Sequence, residues 1–300
     1  MIKTKLKEFG ADISLLLVAI AWGGTFFIVQ DAVEDTPVYV FLFWRFFFAT
    51  LLMGMIFYKH ILRLDKQTLK AGFTLGTFMF LGFAFQTFGL TYTYSSTVAF
   101  ITGLNVVIVP FAVFLIFKKK ASIYSIFGAV VAVVGLFFLT KNESTGGFGI
   151  GEIYSFICAI MFALHITFTD SYSKKYNAFS LVTVQFAVVA LFSFIGAIGL
   201  DGVIMPKSFG GVFMQALIAT VLFATIFAFL VQTIMQKFTT PAKTAIIFTM
   251  EPVSAGIFGY YLADESFVLS QIAGAMLIVS GMLIAELGTY LRNKRINATL

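Results

Sequence analysis

The chain has 300 residues, of which 60% are hydrophobic and only 11% are charged, with a formal net charge of +6. Soluble domains carry about 25% charged residues. The apolar residues here run together at Ile13–Val29, Val38–Tyr58, Val98–Phe117, Ile123–Leu139 and Ile272–Ile284, which excludes a soluble globule with a separate catalytic domain. A single cysteine, Cys158, and two histidines, His60 and His165, exclude a disulfide framework and a His/Cys metal cluster, and no cofactor is expected.

A bilayer core of ~30 Å takes about 20 apolar residues per helix. In chain order the runs predict helices over 11–32, 37–58, 67–91, 95–117, 122–140, 150–173, 180–200, 210–236, 241–263 and 269–291. Barrel strands are shorter and alternate in polarity, which these runs do not. The first helix follows Lys3, Lys5 and Lys7 and contains Ala19-Ile20-Ala21, a small-x-small cleavage pattern. The apolar stretch continues past that point, so an uncleaved helix is expected. Pro37 and Pro241 fall at first helical positions, where no amide donor is lost. Gly146 to Gly151 lacks the Gly-Lys-Ser/Thr ending of a phosphate loop and reads as a linker.

All Lys and Arg except Arg45, Lys141 and Lys207 fall in the termini and in every second loop. By the positive-inside rule this predicts cytoplasmic N- and C-termini in a cell (inner or plasma) membrane, and it explains the basic charge without a nucleic-acid partner.

The chain also matches itself. At a shift of 140 residues Asp12-Ile13 meets Glu152-Ile153, Ala19-Ile20 meets Ala159-Ile160, Phe46 meets Phe186 and Leu51 meets Leu191. At a shift of 146, Phe83 meets Phe229, Gln86 meets Gln232, Ala99 meets Ala245, and Gly128-Ala129…Gly135 meets Gly274-Ala275…Gly281. An insertion in the 201–210 loop accounts for the change. Each copy holds an odd number of helices, so the second enters the membrane upside down. Lys118-Lys119 accordingly corresponds to Asp264-Glu265. The expected architecture is an all-α membrane protein: ten transmembrane helices as two inverted five-helix repeats, 1–141 and 149–292, around a central cavity, with a tail over 293–300. Inverted repeats bind substrate near the midplane between the halves.

Ala21-Trp22-Gly23-Gly24-Thr25-Phe26-Phe27 in the first helix, Phe100 to Pro110 in the fourth, Met250-Glu251-Pro252-Val253 in the ninth and Gly-Ala…Gly in the fifth and tenth resemble the EamA-like family of the drug/metabolite transporter superfamily. The resemblance spans nearly the whole chain. It implies ten helices with both ends cytoplasmic, a cavity walled by helices one to four and six to nine, and export of amino acids, related metabolites or drugs. Two departures from the family pattern are Asp264-Glu265, where the family often ends its ninth helix with Gly-Glu, and His165, at the position paired with Thr25 in the repeat.

Polar groups at membrane depth are costly and mark cavities or partners. Glu251 lies ~15 Å along the ninth predicted helix, just before Pro252, where a local break is expected. It is a candidate for contact with a substrate ammonium, for proton coupling, or for an ion pair that locks the helix. Arg45 lies ~12 Å into the second helix. It could pair with Glu251, grip a substrate carboxylate, or snorkel outward, and a structural role is slightly favoured. Trp22, Thr25, Gln86, Asn105, His165 and Gln232 are candidates for lining the cavity. For His165 and the two glutamines, interhelical hydrogen bonding is the competing role. Tyr92 and Tyr94 read as interfacial belt residues, Lys243 as snorkelling, and Asp170 with Lys174 as a helix-surface ion pair. Gly72, Gly76 and the Gly128/Gly135 and Gly274/Gly281 pairs read as close-packing positions.

The expected function is secondary transport of a small metabolite by alternating access. No ATP-binding pattern is visible, and protons as coupling ion and a homodimer remain open. Multidrug efflux, a channel and an integral-membrane enzyme are the alternatives. The enzyme is disfavoured because the nearest acid cluster, Asp31, Glu34 and Asp35, has no accompanying base.

Overall fold

The computed structural model describes residues 2–118, 120–140, 149–235 and 247–299, with side chains described from 9 to 292 within them. All elements among these residues are helical: α1 (Ile2–Asp35), α2 (Val38–Ile56), α3 (Lys66–Leu90), α4 (Ser95–Phe117), α5 (Ile123–Thr140), α6 (Ile150–Ser173), α7 (Ala178–Asp201), α8 (Gly211–Met235), α9 (Met250–Leu262) and α10 (Leu269–Thr299). A single turn, Tyr58–Ile61, follows α2. Among the described residues, nine of these helices, all but α9, are long and apolar enough to cross a membrane. The chain is therefore an all-helical, multi-pass membrane protein.

Two boundaries differ from expectation. Helix α1 starts at Ile2 rather than residue 11, and α10 runs to Thr299 where a tail was expected after 292. The first extension carries Lys3, Lys5, Leu6, Lys7 and Glu8, the second Lys294 and Arg295, and neither contains proline, so helix propensity carries them past the apolar core. Pro241, Lys243 and the 141–148 part of the linker lie outside the described residues.

Two features recur at matched places in the halves. Helix α4 is broken at Leu104 between Ser95–Gly103 and Asn105–Phe117, and a turn at Thr249 precedes α9. The break expected near Pro252 thus falls two residues before Glu251. Next, α4 ends at Lys118 with φ 57° and α9 is followed by Asp264 with φ 51°, the only non-glycine residues with positive φ among those described. Left-handed backbone at a non-glycine residue is uncommon.

Helix pairs within the matched set run antiparallel. A Cβ on Gly135 would lie 2.7 Å from the Gly274 carbonyl oxygen, and one on Gly281 would lie 2.5 Å from that of Gly128. Helices α5 and α10 therefore lie backbone to backbone in opposite directions, as small residues permit. In α2 and α7, Phe46 meets Phe186 and Phe57 meets Phe179, with ring centroids 5.8 and 4.3 Å apart. In α4 and α9, Gly103 approaches Pro252 and Gly256 approaches Phe100. Gly72 and Gly76 seat α3 against Val184 and Val188 of α7.

The main core joins α1, α2, α3, α7 and α8 around Phe41, Phe46, Phe83, Phe186 and Phe229. A second core holds α4 against α5 and α10. Large apolar side chains such as Phe127, Val133, Phe137 and Met276 face outward, as a lipid-facing surface requires.

Candidate substrate cavity

Polar residues scattered through seven apolar helices meet at one cavity. It holds about 770 Å³ of empty space, including the part open to solvent. Trp22 and Thr25 come from α1, Arg45 from α2, Gln86 from α3, Asn105 from α4, His165 from α6, Gln232 from α8 and Glu251 from α9. Every candidate named from the sequence lines this one space. Phe26, Phe83, Phe162, Phe229 and Phe248 complete an aromatic wall.

The two charged groups stand apart. Arg45 is only 4% exposed, so it does not snorkel. Its Nε donates to Thr225 Oγ1 at 2.9 Å, and its guanidinium carbon lies 4.5 Å from the Phe83 ring centroid and 5.2 Å from that of Phe46. The ion pairs among the described residues are Lys174–Asp170 and Lys207–Asp35, both exposed. The structural Arg45–Glu251 ion pair considered above is thus not formed. The physical reason is the bed of aromatic faces and hydroxyl that already holds the guanidinium on the α8 side. Glu251 sits in the first turn of α9 beside the break, with no ion-pair partner for its carboxylate among the described residues.

Helix α8 is what holds Arg45 and Trp22. It is π-helical over Thr220–Phe227, which alters the usual i→i−4 ladder. The Ala224 carbonyl there accepts from Trp22 Nε1 at 2.9 Å, next to the hydroxyl of Thr225. The Trp22 indole also packs on Phe229 and Phe248, at 5.5 and 5.2 Å between centroids. Thr25 bonds to the Trp22 carbonyl. Gly23 brings α1 so close to α9 that an added Cβ would collide with Ser254 and lie 2.5 Å from the Glu251 carbonyl oxygen. His165 is held across helices, with its Nε2 2.7 Å from Gln185 Oε1 on α7. Tyr92 and Tyr94 lie exposed at the end of α3 and before α4, and Lys174 bonds Asp170 at 2.7 Å on the surface.

Beyond Val29 and Leu90, one end of the cavity is laced together. Gln30 Nε2 donates to the carbonyls of Leu90 and Thr93, both at 3.0 Å, and its Oε1 accepts from the Ser95 amide at 3.2 Å. Glu265 accepts from the Ser95 hydroxyl at 2.6 Å and the Ser96 amide at 3.3 Å, so α4 takes its N-terminal caps from α1 and from the α9–α10 loop. Thr93 donates to Glu152 of α6 at 2.8 Å. Thr225, Gln185, Gln30 and Glu265 were not apparent from sequence; a Gln inside an apolar run was the only signal available, and it applied to Gln185.

The sequence matches the model of the EamA-like transporter family twice, over residues 10–141 and 149–287. An "uncharacterized transporter" from Archaeoglobus fulgidus is 31% identical over 282 residues, covering 94% of this chain and 87% of that protein. Another protein of that description, from Clostridium kluyveri, is 26% identical over 226 residues, covering 70% and 68%. A chain in a solved crystal structure superposes with a TM-score of 0.67 at 17% identity, covering 93% of this chain and 96% of that one, which is a likeness of fold. With both matched segments together spanning most of its length, the chain belongs to the EamA-like transporter family and is a membrane transporter.

Proposed function

We propose that the chain is a secondary transporter of small zwitterionic metabolites of amino-acid type, working by alternating access of two inverted five-helix halves. The observation that carries this reading is the pair Arg45 and Glu251. Opposite charges line one low-dielectric cavity, and neither has an ionic partner among the described residues. Unpaired buried charge is costly. A ligand bringing a carboxylate to Arg45 and an ammonium to Glu251 relieves both at once, and the aromatic wall between them receives an apolar side chain.

The antiparallel packing of α2 with α7, α4 with α9 and α5 with α10 supports the inverted repeat, since each of these helices meets its own sequence mate. The laced end around Gln30 and Glu265 supports alternating access: it closes one route to the cavity through hydrogen bonds that can part without disturbing the apolar core. Rocking of the halves would release it. The charge pattern supports a plasma-membrane orientation with both termini cytoplasmic.

The test is counterflow in proteoliposomes with L-phenylalanine, competed by phenethylamine, which lacks the carboxylate, and by 3-phenylpropionate, which lacks the ammonium. The expected result is saturable counterflow, with each half-charged analogue at least about tenfold weaker than the zwitterion. Equal competition by either analogue removes the corresponding charge from the site, and flux without saturation or counterflow points to a channel. Glu251→Gln addresses proton coupling: a pH dependence unchanged from the parent protein rejects it. Comparing extracellular metabolites with and without expression establishes the direction of flux.

The aromatic wall also favours a second reading, efflux of amphipathic organic cations with Glu251 as counter-ion. Competition by tetraphenylphosphonium as strong as by L-phenylalanine would select it.

A further inference from the structure

His165 and Gln185 form a pair whose chemistry fixes more than packing. His165 is 3% exposed, lines the cavity and faces Phe229 edge-on, with ring centroids 6.1 Å apart. Its Nε2 is 2.7 Å from Gln185 Oε1. Gln185, also 3% exposed, places its amide nitrogen 3.2 Å from the Leu181 carbonyl oxygen. The amide cannot be turned over, because its oxygen would then face that carbonyl oxygen. The atom facing the histidine is therefore an acceptor, and His165 Nε2 must carry the proton. Nδ1 of a neutral ring is then an unprotonated acceptor, and the bond to Gln185, made at Nε2, leaves it available.

We propose that Gln185 is a positioning residue that locks His165 in the Nε2–H form, so that Nδ1 reads a hydrogen-bond donor on the substrate's side chain. The ligand class is a zwitterion whose otherwise apolar side chain bears an O–H or N–H. The donor belongs to the side chain because the His165 ring sits in the aromatic part of the wall with Phe229, whose neighbour Phe83 carries Arg45 on its face. This rests on the zwitterion reading above and adds the side chain to it.

Two measurements on the full-length protein test it. The first is nitrogen NMR of protein labelled at histidine, with His60→Gln leaving one imidazole. A protonated Nε2 and an unprotonated Nδ1 are expected, with the Nδ1 resonance shifting when L-tyrosine is added. A protonated Nδ1, or one that L-tyrosine leaves unmoved, overturns the proposal. The second is competition by pairs that differ in one donor: L-tyrosine against L-phenylalanine, and L-threonine against L-valine. In the parent protein the donor-bearing member of at least one pair should compete about tenfold better. Gln185→Leu and His165→Phe should bring that ratio to about one. Gln185→Glu should keep it, because a protonated carboxyl can accept from Nε2 and donate to Leu181. A ratio near one in the parent protein, or one that survives in Gln185→Leu, overturns this inference while leaving the zwitterion reading intact. Failure of all four amino acids to compete overturns both.

Discussion

The two halves of the cavity share a scaffold and differ in charge. Both break a helix at the cavity, at Leu104 and at Thr249, and both end that helix with left-handed backbone, at Lys118 and Asp264. Gln86 and Gln232 match. Arg45 in α2, however, stands opposite Gln185 in α7, Glu251 in α9 opposite Asn105 in α4, and His165 in α6 opposite Thr25 in α1. Each half thus supplies one charge of opposite sign, and each charge is mirrored by a neutral amide. What the halves have in common builds the fold. The site's chemistry lies where they diverge, and a symmetric cavity would offer a zwitterion no preferred orientation.

The sharpest way to break this comparison is to make the halves alike. Arg45→Gln gives glutamine at both positions of that pair, and Glu251→Asn gives asparagine at both positions of the other. Each should lower L-phenylalanine counterflow about 100-fold, the scale of removing one partner from a buried charge contact. Each should also raise the melting midpoint in detergent, because an uncompensated charge leaves the interior. Loss of transport together with a lower melting midpoint would instead mark these charges as structural.

The next effect separates scaffold from site. Gly23 stands opposite Ala163. The α6 position already holds a methyl, whereas a methyl on Gly23 meets Ser254 and the backbone at Glu251 and Ala255. Gly23→Ala should cost ~1–3 kcal/mol by overpacking and displace Glu251, whereas Ala163→Gly should cost only ~1 kcal/mol in helix propensity. Paired thermal melts and counterflow check this, and equal effects would show that α1–α9 contact is no tighter than its counterpart.

Much of this was legible from the sequence, and the reasons differ by residue. The helices follow from apolar runs too long for any other element. Arg45, Glu251, His165, Gln86 and Gln232 stood out because ionisable and amide groups are rare in such runs. Thr225 did not stand out. Thr167, Thr183, Thr220 and Thr233 are also mid-helix threonines, and each bonds back to carbonyls of its own helix three or four residues earlier. Nothing local distinguishes the one that a π-helical stretch turns toward Arg45. Phe83 and Phe229 are lost among 39 phenylalanines. The absence of an Arg45–Glu251 pair was illegible for a related reason: depth along a helix is readable from sequence, but the helix face that meets the partner is not. The caps that α4 takes from Gln30 and Glu265 depend on chain segments that only folding brings together.

A smaller effect concerns the laced end. Gln30 stands opposite Asp170, which makes only an exposed pair with Lys174. Gln30→Ala removes three hydrogen bonds and should cost ~1–3 kcal/mol, while Asp170→Ala should change stability by ~0.5 kcal/mol or less. If the lacing is a gate, Gln30→Ala should also alter the L-phenylalanine concentration at half-saturation. A stability change with unaltered transport would reduce the lacing to a cap.

The smallest effect lies at two helix starts, where the halves differ again. Asp65 caps α3, accepting from the amides of Gln67 and Thr68 at 2.8 and 2.7 Å, while the matched start of α8 at Gly210 has no side-chain cap. The Thr68 amide, with the Thr68 hydroxyl, holds the Asp65 carboxyl below the usual carboxylate range. A carboxyl depressed in the folded state adds stability at pH values above its unfolded value of about 3.9, and loses it as the pH falls through the lower folded value. Asp65→Asn keeps an oxygen acceptor for the same amides but has no charge to titrate. The melting midpoint of the parent protein minus that of Asp65→Asn should therefore be constant above about pH 5 and shrink below about pH 4. Because Asp65 is fully solvated, the difference should be small and should narrow further at high salt. A difference that instead grows on acidification would mean that the carboxyl is stabilised in its protonated form, and that this helix start, like that of α8, gains nothing from a charged cap.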